Sequence, residues 1–247
     1  MQNGRSGLDF RGDDSRNYMV KLKHTYIQVR KNGKPSYGGN QAWGQDAAMK
    51  KYGCGVIAGA DLLLYLSLHK KACFGTGKFP KKTDTGSIEE QAYEEFVQHM
   101  RRRYFPVIPG LGMPWWMLIL GLNRYFWKNR IPLLASFGVR DRNFIKRIRA
   151  MMAHDIPVIL AIGPNFPLPL KRHKLAFYEK RGEKYQEVCR TAAHFVTITG
   201  ISGEWLEISS WGRPYYICLQ EYREYVRKHS CPLVSNIIYI RKRRVTR

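Results

Sequence analysis

From Tyr52 to Leu66 the chain reads YGCGVIAGADLLLYL, an apolar run that opens on a cysteine set between two glycines. Val56, Ile57, Ala60, Leu63 and Leu64 recur at helical spacing, so the run predicts a helix over Cys54–His69 with one apolar face. Cys54 then stands at or just before the helix N-terminus. Unpaired N–H groups and the positive end of the helix dipole favour a thiolate there. Glycine on either side leaves little bulk near the sulfur, so a substrate can approach closely. Two readings follow: a nucleophile, or a helix-start cysteine that packs as a small apolar residue.

Around this run the pattern changes from helical to extended along the chain. Lys23–Arg30 alternates as a candidate short strand ending in the Asn32-Gly33 turn. Ser87–Glu90 has the form of a capping box and predicts a helix towards Arg103, and Pro114 suits the first turn of another helix through Trp127. Beyond residue 131 the predicted order is strand 131–137, helix 142–153 and strand 156–162. A polar, proline-bearing excursion over 165–190 reads as a long loop. Strands at 194–199, 205–209 and 215–218, a helix at 219–228 and a last strand at 233–241 complete the pattern. That segregation predicts an α+β protein. Residues 1–39 read as a weakly ordered lead-in. Residues 40–247 form one domain, with a helical lobe over about 40–130 and a sheet lobe over about 131–247.

Composition narrows the partners more than the chemistry. The formal charge of +23, from 42 Lys+Arg against 19 Asp+Glu, makes an anionic polymer or cell surface a natural partner. No zinc-finger spacing, RNA-recognition signature or long basic helix accompanies it. Five cysteines without a CxxC pair give no support for a structural metal site, and no cofactor is expected. The most apolar window, Met113–Leu122, is too short to span a bilayer. The start, MQNGRSGLDF, lacks a signal-peptide core. It implies a cytoplasmic chain if that start is native, and a secreted or cell-surface one if a leader has been removed.

A cysteine nucleophile needs a base, usually histidine, and a third group that orients the imidazole. Of seven histidines, His194 alone heads an apolar strand, Ala193-His194-Phe195-Val196. At these residues the chain resembles the papain-like cysteine peptidases, and within them the bacterial bacteriocin-leader (double-glycine) peptidases. Gly53-Cys54-Gly55 is similar to their nucleophile motif. Ala193–Val196 with Thr199-Gly200 is similar to their histidine strand, and Glu207-Ile208-Ser209-Ser210-Trp211-Gly212 to the strand that follows.

The resemblance implies a helical lobe carrying the cysteine, packed on an antiparallel sheet or half-barrel lobe carrying the histidine. It also implies a peptide or protein substrate, with Cys54 attacking a carbonyl and His194 as base. Ser209 falls at the orienting position, with Ser210 as the alternative, where the family has Asn or Asp. An upstream glutamine, Gln41 in preference to Gln45, would donate to the oxyanion. The expected activity is hydrolysis of a peptide or isopeptide bond through a thioester. Transferase or deamidase chemistry on the same pair, or a non-catalytic basic binding module, are the alternatives.

Overall fold

The computed structural model describes residues 19–74, 79–83, 86–138, 143–166 and 173–243. In the N-terminal half the elements are β1 (Val20–Lys21), β2 (Val29–Lys31), β3 (Lys34–Pro35), α1 (Ala47–Tyr52), α2 (Cys54–His69), α3 (Lys71–Phe74), β4 (Ile88–Glu89), α4 (Glu90–Arg103) and α5 (Trp115–Lys128). The C-terminal half contains β5 (Leu133–Phe137), α6 (Phe144–Ala153), β6 (Val158–Ile162), β7 (Leu175–Arg181), β8 (Lys184–Thr191), β9 (His194–Ser202), β10 (Trp205–Ser210), β11 (Arg213–Cys218), α7 (Leu219–His229) and β12 (Ile237–Lys242). The protein is α+β, with helices concentrated in the first half and a large antiparallel sheet in the second.

That sheet runs β5-β12-β6-β9-β10-β11-β7-β8, and β1 pairs with the far end of β9. A small second sheet, β3-β2-β4, includes one parallel pair, β2 with β4. Helix α2 packs on β9 and against α4 and α5. Its burial extends all round instead of along one stripe, and Leu62, Leu63, Leu64, Tyr65 and Leu66 are each 0% exposed. A helix apolar on every side belongs at the centre of a core. Each of those leucines contributes about 2–3 kcal/mol by leaving water.

Three sequence expectations differ from the fold. Residues 20–39 are part of it: Leu22, Tyr26, Ile27 and Val29 are buried, and β2 and β3 form the hairpin about Asn32-Gly33. Residues 1–18 of the expected lead-in lie outside the described residues. Ser87 does not cap a helix, because Ile88 and Glu89 first pair with Val29 and Arg30, and α4 starts two residues later, from the N-cap Glu89. The excursion expected as a loop over 165–190 contains the β7–β8 hairpin, closed by the two-residue turn Gly182-Glu183. Its outer strand β8 lies at the sheet edge with no fully buried residue, so strand periodicity there carries little hydrophobicity. Residues 167–172 of that stretch are outside the described residues.

Candidate active site

The short helix α1 and the long helix α2 meet at the candidate nucleophile. Asp46 caps α1 by accepting from Met49 N at 2.7 Å, and its other oxygen takes Arg101 Nη1 at 2.8 Å. Gly53 then joins α1 to α2, which places Cys54 as the first residue of the central helix. A Cβ on Gly55 would come within 2.6 Å of Met113 Cε and 3.1 Å of the Phe195 ring, so glycine here lets the head of β9 press against the start of α2. The backbone N–H groups of Phe195, Gly55 and Cys54 act on the sulfur and favour its ionisation. Burial acts the other way and is the largest influence, so the thiol is pushed above its ordinary range. The thiolate expected from the helix start is thus outweighed by desolvation.

His194 opens β9 after Ala193, whose φ is +51°. The residue is 8% exposed, and burial lowers its pKa to about 4. Its Nε2 lies 2.8 Å from Ser210 Oγ, and its face stacks on Trp211 with centroids 4.6 Å apart. Trp211 has φ +50° and sits in the Trp211-Gly212 turn between β10 and β11. Left-handed non-glycine residues therefore flank both His194 and its hydroxyl partner, as strained backbone tends to do at functional sites.

The expected orienting residue, Ser209, is not the partner of His194. Ser209 pairs across the ladder with Thr197, so Ser210 shares its face with Val196 and His194. The Ser209 hydroxyl donates to the Tyr37 carbonyl at 2.7 Å. Ser210→Ala should slow covalent labelling of Cys54 about tenfold, the worth of one hydrogen bond that fixes the imidazole tautomer. Ser209→Ala should leave that rate within about twofold and cost about 1 kcal/mol of stability. Labelling rates and urea midpoints measured on both variants check this; equal effects on the rate would refute the assignment.

Gln41 lies in the turn that precedes α1. Its Nε2 donates to the Lys50 carbonyl at 2.8 Å, and the side chain lines the same cavity as Cys54. Gln45 faces a separate groove with Asp46 and Arg101. The turn is tied to the histidine side of the site: Asn40 Nδ2 donates to the Trp211 carbonyl at 3.0 Å, and Tyr37 N to the Gly212 carbonyl at 2.8 Å.

Asp61 is a member of this site that sequence reading passed over. It lies seven residues beyond Cys54 on α2, so Cys54, Ala58 and Asp61 share one helix face and all line the cavity. The carboxylate is 2% exposed and accepts from Tyr93 Oη at 2.6 Å, Gly39 N at 3.0 Å and Tyr26 Oη at 3.3 Å. A Cβ at Gly39 would stand 1.8 Å from Tyr93 Oη, so the backbone there closes directly onto the carboxylate cluster. Burial raises the Asp61 pKa to about 6 against the pull of those donors. The available signal was a lone acid inside an apolar run, because an acid in such a place is almost never buried unpaired.

Gln41, Cys54, Asp61, His194, Ser210 and Trp211 thus surround one cavity of about 20 Å³. That volume holds about one water molecule. Cys54 is partly exposed while its neighbour is buried. Thiol and imidazole face the cavity without a hydrogen bond between them, the ring's bond being spent on Ser210. Among the described residues no group of three or more His, Cys, Asp or Glu side chains is placed to hold a metal ion, and Cys54, Cys189, Cys218 and Cys231 are free thiols. Compared with known proteins, the chain matches no family model and no curated sequence.

Proposed function

We propose that the protein is a papain-like cysteine hydrolase that cleaves peptide or isopeptide bonds through a Cys54 thioester. The observation that carries this reading is the convergence of the first residue of α2 and the first residue of β9 on one cavity, with Gln41 at its rim. In the tautomer whose Nε2–H donates to Ser210, the Nδ1 lone pair of His194 is left to take the thiol proton. The thiolate adds to the substrate carbonyl carbon. The resulting oxyanion finds the backbone N–H of Cys54 and the amide of Gln41 once that amide leaves the Lys50 carbonyl. Collapse expels the amine, which takes the proton from His194. Water then attacks the thioester with His194 as base and regenerates the thiol.

A second reading, a basic binding module with a silent site, draws on the neutral forms that desolvation favours for both Cys54 and His194. Incubation with a peptidyl chloromethyl ketone followed by peptide mapping tests the two. Hydrolase chemistry predicts labelling at Cys54 in preference to Cys189, Cys218 and Cys231. Uniform labelling of the four would favour the binding module. Added primary amine, diverting a trapped acyl group from acid to amide product, separates a transferase from a hydrolase.

A further inference from the structure

Among the described residues the outer face of α5 has no partner. Trp116, Leu120 and Trp127 are 49%, 61% and 66% exposed, whereas Leu118, Leu122, Tyr125 and Phe126 on the opposite side are buried. Residues 116, 120 and 127 fall within about 40° of one another on an ideal helix and span about 16 Å. Five of the nine exposed large apolar side chains among the described residues lie between Ile108 and Trp127, so the exposure is concentrated.

The charge around this stripe has one sign. Residues 96–140 contain no Asp or Glu, and they carry Arg101, Arg102, Arg103, Arg124, Lys128, Arg130 and Arg140. Arg124, Lys128 and Arg130 are exposed beside the stripe. A second copy of the chain docking through this face would set those cations against themselves with no carboxylate from residues 96–140 to answer them. Tryptophan and leucine on a convex helix, flanked by arginine and lysine, match an anionic lipid interface, where the indoles sit at headgroup level and the cations meet phosphate. Among the described residues no helix is long and apolar enough to cross a membrane, so the contact would be peripheral.

We infer that the Trp116–Leu120–Trp127 face of α5 docks on anionic membrane surfaces, with its flank of Arg124, Lys128 and Arg130 supplying the charge selectivity. The inference is independent of the chemistry at Cys54. Co-sedimentation of the full chain with vesicles of phosphatidylcholine alone, or mixed equally with phosphatidylglycerol, tests it. Binding should require phosphatidylglycerol, weaken as salt rises and shift tryptophan emission to the blue. Trp116→Ser/Trp127→Ser and, separately, Arg124→Glu/Lys128→Glu should each lower vesicle binding by about tenfold or more. All four positions are exposed, so both variants should keep the wild-type circular dichroism. Equal binding to neutral vesicles, or binding unchanged in either double variant, would overturn the inference. So would a concentration-dependent dimer abolished by Trp116→Ser/Trp127→Ser, or retention on single-stranded DNA lost in the same variant without any vesicle binding.

Discussion

His194→Ala should lower the second-order rate of Cys54 acylation by about 10²–10⁴-fold, the usual contribution of a positioned general base, and Cys54→Ala should abolish it. The pH profile distinguishes this from a structural loss. Burial holds the imidazole at about 4, so the base form persists well below the ordinary histidine range. The acid limb of the labelling rate should therefore fall near pH 4 in place of about 6.5. In His194→Ala that limb should vanish, leaving a rate that climbs only as the partly desolvated thiol ionises, above its ordinary range. An acid limb near 6.5 that survives in the variant would refute the role. Folding must be followed in parallel. A histidine whose folded pKa is depressed contributes stability that is fully present above its unfolded value and is lost as pH falls towards the folded value. For His194 that is about 3 kcal/mol between about pH 6.5 and 4.

How much of this was legible in the chain depends on the range of the interactions involved. The span of α2 follows from local spacing, and the order of Cys54 and His194 is a property of the sequence alone. What spacing could not give was which serine faces the imidazole. That depends on the β9–β10 register, which shifts between Glu207 and Ile208. The capping-box pattern at Ser87 lost to strand pairing with β2, a contact nearly sixty residues away in sequence. The β7–β8 hairpin was hidden because an exposed edge needs no apolar alternation. The thiolate expected of Cys54 was a local inference, correct about the N–H donors. It could not register the tertiary packing that desolvates the sulfur and raises its pKa.

Asp61 should prove the most consequential side chain outside the Cys54–His194 pair. Asp61→Ala would strip the acceptor from Tyr26, Tyr93 and Gly39 N at once, beside a cavity with room for about one water molecule. At about 1–3 kcal/mol per stranded buried donor, less the relief of no longer burying a charge, the loss should be about 3–5 kcal/mol by urea denaturation. Asp61→Asn keeps the volume and one carbonyl acceptor and should cost less. The two neutral variants share a pH signature that packing alone would not produce. The groups facing the carboxylate are the Tyr26 and Tyr93 hydroxyls and the Gly39 amide, and its raised pKa comes from burial. An acid whose folded pKa lies at about 6 stabilises the fold most when protonated, and that contribution is lost as pH rises through 6. Wild type should therefore gain on Asp61→Asn by about 3 kcal/mol as pH falls from about 7 to 4. A stability difference flat across that interval would show that the carboxylate is not held as described. The functional consequence follows from Gly39: it is fixed to Asp61 and leads directly into Asn40 and Gln41. Releasing it should loosen the turn that carries Gln41, the proposed oxyanion donor, and labelling of Cys54 should slow by about tenfold or more while the variant is still folded.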